Sequence, residues 1–255
     1  MQRERLIHGR KVKCHDPLGI LPSEANIFPS RNFVLSSLLV YGMPVVEPNI
    51  DLAVFGILDR RAKSDARRSI LAGVSGIDGS GKGYVANQIV QRLLQQHLHA
   101  VVLPGDGWLN LPTARFNTQN PSPHFYENAL RMDEMLEQLV LPLQRKRSHS
   151  GIMNFTEETA TTYRSEPYAF QNVDVIVLEC IFLFKRRYRH HFDFAIWIEC
   201  SFETALKRAI ARRQEHLPED ETIRAYETIY FPAQRTHLRD DRPRETADLI
   251  IKNDG

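Results

Sequence analysis

The segment Gly76-Ile77-Asp78-Gly79-Ser80-Gly81-Lys82-Gly83 constrains this chain more than any other. It follows a β-branched run over residues 70–74. It opens an amphipathic stretch, residues 82–97, with Val85, Ile89, Val90, Leu93 and Leu94 on one face. A strand, a turn with GxxxxGK spacing and a helix are the context a phosphate-binding loop requires. Glycines let successive backbone N–H groups turn inward against phosphate oxygens. The helix N-terminus adds unpaired donors and its dipole, and Lys82 brings a mobile positive charge. The expected nucleotide-binding set is Gly76, Asp78, Gly79, Ser80, Gly81, Lys82, Gly83 and Tyr84.

Beyond the loop, short β-branched runs alternate with long amphipathic stretches. Strands are predicted at 100–103, 173–178, 194–198 and 247–251, and helices at 128–141 (stopped near Pro142), 202–215 and 221–238. Strands separated by helices predict βαβ units and a parallel sheet covered on both faces, an α/β domain. Residues 1–68 break the rhythm. They hold Pro17, Pro22, Pro29, Pro44 and Pro48, with brief apolar runs at 33–41 and 52–58. The charged segment 59–68 marks the expected boundary between an N-terminal extension, 1–68, and a P-loop domain, 69–255. The extension is either packed on the body or a partly ordered arm. Its apolar runs would cover a sheet edge or form a homo-oligomer contact.

With 42% hydrophobic and 25% charged residues, the chain has enough apolar content for a core, which excludes disorder as its main state. The net charge of +2 gives no global electrostatic case for nucleic acid or an anionic membrane. The longest charge-free stretch of the extension, between Arg31 and Glu47, is shorter than the ~20 residues a bilayer helix needs, and Pro44 interrupts it. The three cysteines, Cys14, Cys180 and Cys200, are far apart and form no CxxC pair. That usage fits a reducing compartment without a zinc site, so the cytoplasm is expected.

Phosphoryl transfer to an alcohol needs a base near the hydroxyl, a carboxylate for the metal and cations on the migrating charge. Asp106 lies just past the second strand, at the carboxyl edge where open α/β sheets bind ligands. It is read as the base, with Trp108 beside it; the alternative is an ordinary loop aspartate. Glu179 ends the apolar run 175–178, where a carboxylate is costly without a charged or metal partner. It is read as a metal carboxylate, against a structural salt bridge. Arg208 and Arg212 share a helix face, with Arg213 beside them, as arginines closing over phosphates would. A solvated helix face explains the same spacing. The residue after Lys82 would ordinarily be Ser or Thr, whose hydroxyl reaches Mg²⁺. Here it is Gly83, so the metal is expected on other groups or through water.

Residues from about 69 to 255 resemble the uridine kinase/phosphoribulokinase group of P-loop kinases. The resemblance rests on Gly-Ile-Asp-Gly-Ser-Gly-Lys at 76–82, Asp106-Gly107-Trp108 and Glu179-Cys180-Ile181-Phe182-Leu183-Phe184. It continues through 205–213, Tyr230-Phe231-Pro232-Ala233 and Ala247-Asp248-Leu249-Ile250-Ile251. It implies a five-stranded parallel sheet in a nucleoside-monophosphate-kinase-like order. It also implies ATP–Mg²⁺ as donor and transfer of the γ-phosphate to a small-molecule hydroxyl. Carried over by position, Lys82 and the loop amides bind phosphate and Asp106 is the base. Glu179 and Asp106 hold the metal, Arg208 and Arg212 are lid arginines, and Tyr163 and Arg164 lie on the substrate side with Trp108. The group usually has Glu-Gly-Ile where this chain has Glu179-Cys180-Ile181. The tyrosine- and histidine-rich uracil-binding segment is not evident between Gly151 and Tyr168. The expectation is an ATP-dependent kinase acting on a nucleoside-like or other small alcohol. Gly83 and Cys180 motivate an alternative, a catalytically impaired nucleotide-binding module acting through a protein partner.

Overall fold

The computed structural model describes residues 48–212 and 217–254. The apolar run at 33–41 and Arg213 lie outside the described residues. The chain begins with helix α1 (Pro48–Lys63), then strand β1 (Ile70–Gly76), helix α2 (Lys82–Gln95) and strand β2 (Ala100–Pro104). A 3₁₀ turn over Gly105–Trp108 leads to α3 (Pro121–Asn128) and α4 (residues 132–146). An antiparallel hairpin follows, β3 (His149–Phe155) and β4 (Arg164–Phe170). The rest is β5 (Val175–Glu179), β6 (Phe194–Glu199), α5 (Phe202–Arg212), α6 (residues 219–240) and β7 (Leu249–Lys252).

Five strands form one parallel sheet in the order β2-β5-β1-β6-β7. β1 and β5 are buried along their whole length, which is why both read as continuous apolar runs rather than alternating ones. On one face α1 and α2 pack, with Ile50, Ala53, Val54 and Ile57 of α1 against Val85, Ile89 and Leu93 of α2 and the strand side chains. The later helices cover the other face through Leu136, Leu139, Leu143, Ala205, Ala209 and Tyr226. α1 therefore forms part of the core although it lies in the proline-rich leader. It approaches β6 closely enough that a Cβ on Gly56 would stand 2.4 Å from the Phe194 ring.

Two helices run through a proline, one of them against expectation. α4 was expected to stop near Pro142 but runs on to Lys146. Proline cannot donate the regular bond, and its ring crowds the carbonyl four residues back. A π turn over Leu136–Val140, with the Leu141 N–H donating to the Leu136 carbonyl, absorbs the mismatch. The same device occurs in α6 ahead of Pro232, where the Phe231 N–H donates to the Tyr226 carbonyl. The hairpin β3–β4 has no counterpart in the predicted elements. Its inward face carries buried Met153 with Tyr168 and Phe170 against the core, but His149, Gly151 and Glu166 interrupt it, so no apolar period announces the strands. Among the described residues no helix is long and apolar enough to cross a membrane.

Candidate active site

The strand ends converge at the carboxyl edge of the sheet. β1 releases the chain into the phosphate loop, while Glu179 closes β5 in register with Val74 of β1 and Pro104 of β2. Asp106 stands two residues beyond Pro104. The loop needs glycine where the backbone is left-handed, at Gly79 (φ +74°) and Gly81 (φ +86°). Both are also walled in. A Cβ on Gly79 would meet the Ala205 carbonyl at 2.5 Å, and one on Gly81 the Asn253 side-chain amide at 2.5 Å. Asn253 donates to the Ser80 carbonyl at 2.8 Å and so ties the loop to the end of β7.

Lys82 is buried at the start of α2, with its Nζ 3.9 Å from Asp78 Oδ1. Asp78 also receives Arg212 Nη2 at 3.4 Å and the Tyr226 hydroxyl. Burial pushes the Asp78 carboxyl up, but Arg212, Lys82, the Tyr226 hydroxyl and the Gly79 N–H outweigh it and hold the pKa at about 2. Arg208 Nη1 donates to the Asn253 carbonyl at 2.9 Å and reaches the Gly79 carbonyl at 3.5 Å. Both arginines of α5 therefore stand on the loop side, on the single helix face their spacing gave them, and Tyr226 joins them from the π turn of α6. Sequence spacing gave no sign of Tyr226. A π turn one helical turn ahead of Pro232 is the signal that could have found it. Tyr84 points outward at 39% exposure.

Glu179 is 8% exposed, and its carboxylate makes no hydrogen bond or ion pair among the described residues. Burial, and then the nearby Asp106 carboxylate, push its carboxyl well up; Lys82 and Arg212 pull the other way. Asp106 is exposed, and its side chain likewise has no such partner among the described residues. A buried carboxylate beside a second one, without a bonded cation, is a site that a divalent ion would relieve. The described residues contain no group of three or more His, Cys, Asp or Glu suited to a metal. Mg²⁺ asks for no more than two carboxylates where phosphates and water complete its octahedron. The residues present therefore fit Mg²⁺, with Glu179 and Asp106 as its protein oxygens. Cys180 is fully buried, and burial first, then Asp106 and Glu179, keep its thiol protonated. Its Sγ fills the space beside Gly105, where a Cβ would come within 2.4 Å.

The other side of Asp106 is built by the hairpin. Thr156 N–H donates to the Gly107 carbonyl at 3.0 Å, and Phe155 lies over Gly107. Trp108 was read as an aromatic presented beside Asp106; it is in fact seated in the core at 2% exposure. Arg131 lies 5.1 Å over its ring and 4.5 Å from the Tyr163 ring, and donates to the Asn154 carbonyl at 2.6 Å. Sequence reasoning missed Arg131, whose partners are all distant in the chain except Glu134 at 2.9 Å. Tyr163 reaches Asn110 Oδ1 with its hydroxyl at 3.4 Å, and Arg164 stacks on Phe155 at 5.1 Å.

A phosphate loop, a carboxylate ending the neighbouring strand and a second carboxylate past β2 are the parts of a P-loop kinase. The phosphoribulokinase/uridine kinase family model matches residues 71–217, more than half of the sequence. The chain belongs to that family. A uridine kinase of Yersinia pestis is 23% identical over 197 residues, covering 74% of this chain and 90% of the relative. The solved structure of a possible uridine kinase from Bacillus stearothermophilus superposes with a TM-score of 0.62 at 22% identity, covering 80% of this chain and 97% of that one. D-glycerate 3-kinase from Cryptococcus neoformans gives a TM-score of 0.52 at 12% identity, with 72% and 86% covered. The sheet order and the helices on both faces are those of this fold. The chain is a P-loop kinase.

Proposed function

We propose that this kinase transfers the γ-phosphate of ATP to a hydroxyl of an uncharged small alcohol, a nucleoside or related polyol. The observation that carries the reading is the meeting of buried Lys82, unpaired Glu179 and exposed Asp106 at one sheet edge. In it, the loop N–H groups and Lys82 hold the β- and γ-phosphate oxygens. Asp106 accepts the proton of the attacking hydroxyl. Glu179, with Asp106, positions Mg²⁺, which when bound neutralises charge on the phosphate oxygens. Arg212 turns from Asp78 toward the migrating charge, and Arg208 steadies the loop from α5. Free thiols at Cys180 and Cys200 suit the reducing cytoplasm as its location.

The uncharged acceptor follows from electrostatics around Asp106. Among the described residues, Arg131 on that side pairs with Glu134 and Arg164 with Glu157 and Glu166, while the buried Arg115 pairs with Glu158. An anionic acceptor would have to displace one of these partners. A neutral one needs only hydrogen bonds, and the name of the Yersinia relative makes uridine the first compound to try.

ADP release from ATP–Mg²⁺ across nucleosides, sugars, small alcohols and their phosphorylated or carboxylated analogues, with a no-acceptor control, tests the reading. Turnover is expected with a neutral acceptor, and Asp106→Asn is expected to lower it by about 10²–10⁴-fold with ATP affinity kept. Turnover confined to anionic acceptors would overturn the charge argument. ATP binding with no acceptor dependence would bring forward the impaired, partner-acting module.

A further inference from the structure

The position after Lys82 carries more information than the missing hydroxyl alone. Gly83 is half-buried in the first turn of α2, and its backbone is in the ordinary helical range, unlike Gly79 and Gly81. No conformational need selects glycine there. A Cβ built on Gly83 would lie 3.7 Å from Glu179 Oε1, 3.8 Å from its Cδ and 3.9 Å from Oε2, ordinary contact distances. Both carboxylate oxygens thus face the space where a serine or threonine side chain would begin. Cis ligands of an octahedral Mg²⁺ with bonds near 2.1 Å lie about 3 Å apart, a separation that a hydroxyl at this position and Glu179 could span.

Among the described residues no neighbouring side chain replaces that hydroxyl. Ser80, the other hydroxyl of the loop, turns back on Gly76, where a Cβ would meet its Oγ at 2.6 Å. Asp78 accepts from the Tyr226 hydroxyl and the Gly79 N–H, contacts that stay in place when Arg212 and Lys82 turn to the phosphates. Cys180 is turned toward Gly105.

We infer that Gly83 leaves the metal without a side-chain oxygen from α2. Water would complete the shell there, the ion would depend on Glu179, Asp106 and the nucleotide phosphates, and the residue at position 83 sets how tightly it would be held. A hydroxyl restored at this one position would enter the coordination shell without moving the backbone. This rests on reading Glu179 as the metal carboxylate, so the test includes that residue.

Mn²⁺ binding, followed by electron paramagnetic resonance in the presence of a non-hydrolysable ATP analogue, separates the contributions in the full-length protein. Gly83→Ser is expected to tighten Mn²⁺ by about tenfold, the scale on which ligand-shell changes act. The bound ion should also lose one coordinated water by spin-echo measurement. Gly83→Ala, which adds the Cβ without the hydroxyl, should leave affinity and water count at wild-type values. Equal shifts in the two variants would assign the effect to helix stiffening and overturn the inference, as would an unchanged Gly83→Ser. Glu179→Gln is expected to weaken Mn²⁺. If it does not, the metal reading of Glu179 fails and takes the inference with it. If it does while Gly83→Ser stays at wild type, only the role of Gly83 fails. Analogue binding and thermal unfolding of each variant establish that the loop is folded.

Discussion

On the proposed reading the phosphate loop holds the donor mainly with backbone, whereas the face beyond Asp106 is assembled from side chains that neutralise one another. At the loop, two left-handed glycines lead into a helix N-terminus, with Lys82 as the buried cation beside it. Around Asp106, by contrast, Arg131 joins Asn154 of β3, Trp108 of the 3₁₀ turn, Tyr163 of the β3–β4 connection and Glu134 of α4. A backbone-built site recognises a group that every donor nucleotide shares. A side-chain-built site can be re-cut for each acceptor while the fold stays the same. The two halves should therefore fail differently.

The loop should be the more brittle. Gly81→Ala meets both a positive φ and the Asn253 amide at 2.5 Å. Strain of about 1–3 kcal/mol is expected, enough to weaken ATP binding by roughly 5–150-fold. Adding Asn253→Ala should restore part of it, since that removes the contact but not the φ penalty. Equilibrium binding of ATP to the single and double variants measures both; full rescue would mean the contact alone dictates glycine. A smaller and one-sided effect is expected at Arg131→Met. It keeps the apolar stem over Trp108 but loses the guanidinium's bonds to the Asn154, Leu109 and Gly107 carbonyls and to Thr156 Oγ1, and its pair with Glu134. Loss of even one charge-assisted bond is worth about 1.5–3 kcal/mol, so acceptor KM should rise at least tenfold with ATP KM unchanged. A parallel rise in both constants would show that the halves are not separable.

The same contrast decides what could be read in the sequence. GxxxxGK and its flanks were legible because the backbone geometry admits few residue types, and Glu179 because a carboxylate ending a buried strand stands out. The parallel sheet followed from β-branched runs separated by helical stretches, whereas its strand order was implied by the resemblance to the P-loop kinase group. Arg131 and Tyr226 were not legible, since each acts through partners that only the tertiary fold brings near. The hairpin β3–β4 alternates in burial but not in residue type, with Ile152 outward at 75% exposure and His149, Gly151 and Glu166 on the inward face, so no apolar period marked it. Pro142 misled because a π turn can carry a helix across a proline. In the leader, five prolines left a packed appendage and a partly ordered arm both open, and the part described packs: Ile50, Ala53 and Ile57 are buried in the core.

A third region belongs to neither half and tests whether the contrast is local. Asp241, at the end of α6, accepts from the Arg186 N–H at 2.9 Å and from the Tyr126 hydroxyl, and pairs with His237 Nδ1 at 2.7 Å. Burial pushes its carboxyl up, but these partners overcome it and hold the pKa at about 2, below the ordinary 3.8. A carboxylate depressed on folding adds stability that is complete above its unfolded pKa and is lost as pH falls through the folded one. That window runs from about pH 4 down to pH 2. His237 is depressed by burial and stays neutral, which adds a loss of the same sign beginning below its ordinary 6.5. Asp241→Asn should therefore lower stability at pH 7 by about 1–3 kcal/mol, the cost of breaking a buried polar network. The gap from wild type should narrow as the acid window is entered, because wild type loses there what the variant already lacks. Denaturant unfolding at pH 7, 5 and 3 measures this, and steady-state kinetics at pH 7 should return wild-type KM values for both ATP and acceptor. A changed acceptor KM would extend the acceptor face through α3 to α6, and the division between a backbone-built and a side-chain-built half would have to be redrawn.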